Sequence, residues 1–205
     1  MGITEAITDG ASLVGVGHVT PARIDPAIEQ SIVDTVAAFL DAMEYYDGPS
    51  HTEVMVGSRG VVIIESQNRV GGALIAELVR DVYGVDLREL AMAWPHGLVE
   101  PITTRPAATG AAASWLVVAE PGEIVEIGGL DGVRNDPSTL AVDLPIAVGD
   151  EVRQLDGEWD GLGHVAVRAT DADTAVELCR AKVKSSRSEE RRVGKECRSR
   201  WSPYH

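Results

Sequence analysis

Cysteine is nearly absent: Cys179 and Cys197 are the only two among 205 residues, too few for a disulfide framework and without the spacing of a metal site. A reduced, cytoplasmic setting is therefore expected. No uninterrupted apolar run approaches the ~20 residues of a membrane span. Met1 is followed by Gly-Ile-Thr-Glu rather than by the basic start and apolar stretch of a leader. Basic residues are scarce too: 18 Lys and Arg against 32 Asp and Glu give a formal charge of −14. That balance argues against nucleic acid or an anionic membrane surface as partner, since both need a basic face. Aromatics make up 4%, so the core has to come from Val, Ile, Leu and Ala.

Apolar residues, at 44%, are abundant enough for one or two small domains with real cores. Residues 11–17 read as a short strand ending at Gly17-His18, with a turn at Pro21. Asp25-Pro26 opens a helix, Asp25 as N-cap and Pro26 at the first helical position. Ile28, Ile32, Val33, Val36, Phe39 and Leu40 recur at helical spacing, so one face of this helix should pack on a sheet. Two strands follow, His51 to Val56 and Val61 to Ser66. Gly71-Gly72 precede a second helix with Gly84 as C-cap, and Asp86 caps a third running to about Trp94.

Beyond residue 107 the texture changes to short strands: Ala113–Ala119, Glu123–Ile127, Thr139–Asp143, Glu151–Gln154 and His164–Ala169. A closing helix capped by Asp171 ends the series. The expected fold class is α+β. An antiparallel sheet with packed helices over 1–105 is followed by a small α/β C-terminal domain over 106–186. Trp94, Trp115 and Trp159 are expected in the core or at the domain interface, and Cys179 as a small buried hydrophobe.

Residues 187–205, RSEERRVGKECRSRWSPYH, break with the rest. Arg and Lys crowd in and periodic apolar residues vanish. A basic tail would ordinarily suggest nucleic acid, but this string resembles the translated read-through of a sequencing adapter from end to end. It is expected to be non-native and disordered, and Cys197, Trp201 and His205 carry no functional weight.

The chemistry concentrates in HTEVMVGSRGVVIIESQNR. His51, Glu53 and Met55 share one strand face, and Val61, Ile63 and Glu65 share one face of the next. Register decides whether the glutamates meet. A four-residue loop, 57–60, pairs Val56 with Val61 and sets Glu53 beside Ile64. A three-residue loop, 58–60, pairs Gly57 with Val61 and Glu53 with Glu65. The second needs a left-handed residue at its end, where Gly60 sits, and is favoured. Two opposed carboxylates repel unless a cation lies between them. Magnesium suits them, being hard, oxygen-seeking and ready to share ligands with phosphates. Gln67 or Asn68 would add an amide oxygen, Arg69 offers a planar fork for phosphate or carboxylate, and Gly71-Gly72 let backbone approach a ligand at a helix N-terminus. The bland alternatives are a solvated pair of strand glutamates, a plain turn and a surface arginine. His51, two residues from Glu53, reads as a structural histidine beside the metal shell.

At these residues the chain resembles the ATP-grasp superfamily, above all its amino-acid ligase branch. The pattern is Gly17-His18…Pro21, then Gly48-Pro49-Ser50-His51-Thr52-Glu53, then Glu65-Ser66-Gln67-Asn68-Arg69-Val70-Gly71-Gly72. It runs from about Val14 to Asp86, and 107–183 is similar to the small C-terminal domain of those ligases. The resemblance implies an ATP-dependent carboxylate–amine ligase acting through an acyl phosphate. Glu53 and Glu65 would bind the Mg2+ that bridges the ATP phosphates, and Arg69 would stabilise the transferred phosphoryl group. Gly71 and Gly72 would face the substrate, and His18 would lie near it. One departure is Gln67, where the family usually has Asn. Another is that nothing before Ala11 resembles the lysines and Gly-rich lid of the nucleotide-binding half. The expectation is thus a C-terminal fragment, inactive alone, taking small-molecule carboxylate and amine substrates and open to homodimer formation. The alternatives are an ATP-dependent carboxylase of the same superfamily and a non-catalytic acidic binding module, in which the two glutamates would not face each other or neither would lie in a cleft.

Overall fold

The computed structural model describes residues 2–10, 14–100, 102–157 and 160–184. Residues 11–13 of the expected first strand, Trp159, and the tail over 187–205 lie outside the described residues. Among the described residues no helix is long and apolar enough to cross a membrane.

The fold is α+β, as the pattern implies. A five-stranded antiparallel sheet has the order β1-β2-β5-β9-β7. Its strands are β1 (Glu5–Thr8), β2 (Gly15–Thr20), β5 (Ala111–Val117), β7 (Thr139–Asp143) and β9 (Gly163–Ala169). Strand β2 begins and ends later than expected. Gly17 and His18 are not its exit but its middle, because they pair with Trp115 and Ser114 of β5. That pairing carries the sheet across the 105/106 boundary, with β1 and β2 on one side of it in sequence and β5, β7 and β9 on the other.

Alternation along these strands sends side chains to two faces, and each face has its own helix. Val19, Ala113, Val165 and Val167 pack with Ala175, Val176, Cys179 and Val183 of α5, the helix over 172–184. Ala112 and Ala166 pack on the other face with Leu78, Val82 and Tyr83 of α2 (Ile75–Tyr83). Alanines at the middle of β5 let a helix lie close on each side. Gly17 serves the same purpose edgewise: a Cβ there would stand 2.5 Å from the Trp115 ring. Cys179 is fully buried, as expected, and burial pushes its thiol up to about 12.

Capping follows the sequence in most places. Asp86 accepts from the N–H groups of Arg88 and Glu89 to start α3 (Leu87–Ala93). Asp171 accepts from Thr174 N–H at the start of α5, and Gly84 closes α2 at φ +69°. Asp25 is the exception. It occupies the N-cap position of α1 (Pro26–Ala42), but its carboxylate makes no capping bond; Pro26 opens the helix without it. Strand β1 and the short helix α4 (Leu130–Arg134) were not foreseen. The expected strands at 123–127 and 151–154 shrink to β6 (Gly122–Glu123) and β8 (Glu151–Val152), which pair only with each other.

Candidate functional site

Strands β3 (His51–Gly57) and β4 (Gly60–Gln67) form a separate two-stranded hairpin, with α1 packed along β4. Its register corrects the favoured loop. Gly57 pairs with Gly60 and Val56 with Val61, the pairing of the rejected four-residue alternative, which would leave Glu53 beside Ile64. Instead the register shifts between Glu53 and Val54: Val54 pairs with Ile63 and Glu53 with Glu65. Ile64 is the extra residue of a β-bulge. Gly60 is left-handed, at φ +92°, but the bulge brings the glutamates together. Strand periodicity cannot reveal such a bulge, because it is a break in periodicity.

The consequence is one polar face at the open end of the hairpin. Directly opposed residues share a face, so Glu53 and Glu65, and next to them His51 and Gln67, project together. His51 Nε2 lies 3.4 Å from Glu53 Oε1. Gln67 Nε2 donates to Glu65 Oε1 at 2.9 Å, and Gln67 Oε1 accepts a short bond from Arg69 Nε. An amide turned the other way would set oxygen against carboxylate oxygen, so this orientation is the one the network dictates. Gln67 therefore links Glu65 to Arg69 and turns N–H, not its oxygen, toward the carboxylate. Arg69 also donates to the Val70 carbonyl at 3.0 Å. Asn68 is exposed and, with Gln67 and Arg69, lines a cavity of about 530 Å³ whose apolar wall is Phe39, Leu40, Met43 and Tyr45.

The two glycines differ. A Cβ on Gly71 would stand 3.1 Å from His51 Nδ1 and 3.2 Å from Ile75, so Gly71 is a packing contact beneath the histidine. Gly72 faces open space. Ala73 and Leu74 follow with φ +48° and +64°, two left-handed residues that are not glycine, each costing roughly 1–2 kcal/mol. The strained turn is held by Ile75 N–H to Gly72 O (2.8 Å) and by the hydroxyl of Ser114, which donates to Ala73 O at 2.9 Å. Ser114 pairs with His18 in the sheet, so His18 reaches the neighbourhood of the turn through its strand partner. Nothing in the sequence marks Ser114, which lies 41 residues from Ala73.

Among the described residues, no group of three or more His, Cys, Asp and Glu side chains could hold a metal ion. The opposed glutamates supply at most a partial shell.

The comparisons bear on both halves of the chain. Residues 114–187 match the family model of L-amino acid ligase C-terminal domain 2. Among solved structures, the chain is similar to phosphoribosylglycinamide synthetase from Anaerococcus prevotii, with TM-score 0.71 and 17% identity over 88% of this chain and 47% of that one. It is similar to L-amino acid ligase from Bacillus licheniformis, with TM-score 0.74 and 17% identity over 87% and 46%. It is also similar to the biotin carboxylase domain of Hydrogenobacter thermophilus 2-oxoglutarate carboxylase, with TM-score 0.59 and 15% identity over 82% and 38%. No curated protein matches. The fold is shared with these structures, and the chain spans about half the length of the first two.

Proposed function

We propose that this chain is the C-terminal part of an ATP-dependent carboxylate–amine ligase, with the Glu53–Glu65 face as its magnesium-phosphate end. The observation that carries this reading is the direct opposition of the two glutamates in line with Gln67 and Arg69. A hard divalent cation relieves the repulsion of paired carboxylates. With only two protein carboxylates, the rest of its shell falls to water and phosphate oxygens, the usual mode for Mg2+. ATP bound there would transfer its terminal phosphoryl group to the substrate carboxylate with release of ADP, and the amine would then attack the acyl carbon and expel inorganic phosphate to leave an amide.

The chain's own residues position and neutralise. Glu53 and Glu65 hold the cation, and His51 steadies Glu53. Arg69, tied to Gln67 by their hydrogen bond, would offer its planar fork to the transferred phosphoryl group. Gln67 acts here as the strut between carboxylate and guanidinium rather than as a metal ligand, and Asn68 supplies the amide oxygen if a third protein ligand is used. Gly72, with open space above it, borders the substrate, as does His18 behind the turn. The nucleotide-binding half belongs to a longer protein, so this chain alone is expected to be inactive. A cytoplasmic setting fits a consumer of ATP.

The test is Glu65→Gln in the extended protein. ATP-dependent phosphate release should fall at least about a hundredfold, as when a charge-stabilising group is removed; unchanged release would end the metal assignment. The biotin carboxylase likeness keeps one second reading, a carboxylase. Phosphate release that requires bicarbonate and ignores amines would favour it.

A further inference from the structure

We propose that Ser114 is a positioning residue that sets the shape of the substrate-facing turn 71–74 from the other half of the chain. The proposal rests on the ligase reading for what the turn is for, and on geometry alone for what holds it. Ser114 sits in the middle of β5, fully buried on the α2 side of the sheet. Its neighbours on that face are Ala112, Ala166 and, across β2, His18. A hydroxyl placed there must find a partner, because an unmatched one is costly to bury. Its bond goes to Ala73 O at 2.9 Å, across 41 residues of chain.

Ala73 is where an anchor is needed. It and Leu74 hold left-handed backbone without being glycine, a conformation that persists only where surroundings over-determine it. Gly71 fixes one side of the turn by packing under His51 and against Ile75. Ser114 fixes the other by holding the peptide oxygen that follows Gly72. Between them Gly72 is left facing open space. The residues that would touch substrate therefore lie in the N-terminal half, while their geometry is set by a side chain in the strand shared with the C-terminal half. A substrate-induced movement of the turn and a movement of β5 are then coupled through one hydrogen bond.

The experiment uses the 205-residue chain, with amide hydrogen exchange as readout. Ser114→Ala removes the donor, and Ser114→Cys keeps the shape with a weak donor. Both should speed exchange at Ile75, whose N–H closes the turn, by roughly tenfold, the worth of one ordinary hydrogen bond, while β5 and β9 amides keep their protection. Ala73→Gly, which removes the left-handed penalty, should restore slow exchange in the Ser114→Ala background. A uniform rise across α2 and the sheet would overturn the proposal, as would a Ser114→Cys variant indistinguishable from the parent. If Ser114→Ala does not fold, the parent still decides. Ile75, whose N–H is bonded to Gly72 O, must exchange more slowly than the open hairpin turn at Ser58-Arg59, and equal rates would sink the anchor. The Glu65→Gln test in the extended protein separates the two ideas: unchanged phosphate release there would count against the ligase reading, while the exchange results on the 205-residue chain would still decide the role of Ser114.

Discussion

The five-stranded sheet and the β3–β4 hairpin are opposite kinds of structure. The sheet is covered on both faces, by α2 and by α5, and its middle strand is buried along nearly its whole length. The hairpin has two strands, a helix on one side only, and among the described residues none of its side chains joins either core cluster. Met55, Val62 and Ile64 stand exposed beside the paired glutamates, Met55 at 63%. A two-stranded ribbon with little buried area is marginal by itself, yet it carries the charged face. The sheet supplies stability and the hairpin presents chemistry. The turn at 71–74 joins them, strained on the hairpin side and anchored on the sheet side.

That division can be broken most forcefully at the α2 face of the sheet. Leu78 is completely buried against Ala112 and Ala166, so Leu78→Ala should cost about 3 kcal/mol, measured as a drop in the urea midpoint with an unchanged slope. Gly17→Ala attacks the same sheet by overfilling. The new Cβ would stand 2.5 Å from the Trp115 ring and 3.1 Å from the Ser114 carbonyl, and about 2 kcal/mol of stability should go. A smaller loss in that variant would mean that Trp115, which also carries Arg180 over its ring at 5.2 Å, swings aside cheaply.

Acid sharpens the contrast further, because the scaffold's ion pairs lie away from the hairpin. Lys182 is almost buried and lies 2.6 Å from Asp136. Its ammonium, with the Ser138 hydroxyl and amide behind it, holds the Asp136 carboxyl well below the usual carboxylate range. A folded value below the unfolded one means that the contribution is complete above about pH 5 and fades as pH falls through the unfolded value of roughly 4 toward the folded one. Asp136→Asn should therefore lower stability at neutral pH and flatten the decline on acidification, seen in urea midpoints across a pH series. An unaltered decline would show that other carboxylates, such as Glu5 beside Arg23, carry the acid response. The smallest effect belongs to the hairpin's exposed face: Met55→Ser should change stability by less than about 0.5 kcal/mol, and a larger loss would mean that the hairpin is more tightly integrated than its burial implies.

Much of this was legible before any coordinates. Glycines, prolines and acidic caps punctuated the chain, so the helices at Pro26, Leu87 and Asp171 and the strands at Thr139 and His164 stand within a residue or two of expectation. Strand β1 escaped because four residues of mixed polarity carry no period of their own; β2 recruits them as an edge. The one-residue fate of the hairpin register escaped for a related reason, since the bulge at Ile64 interrupts the alternation on which the register was reasoned.

The sequence by itself determined the fold class, the order of the elements other than β1 and α4, and which residues carry charge in the candidate site, because those follow from local periodicity and residue type. Only the tertiary structure decided three things: that Glu53 meets Glu65 through a bulge, that Gln67 turns its oxygen to Arg69 and its N–H to Glu65, and that Ser114 reaches Ala73. Each is a contact between groups whose partners depend on where several strands stop sliding past one another. Packing of the whole sheet fixes that register, and no single segment encodes it.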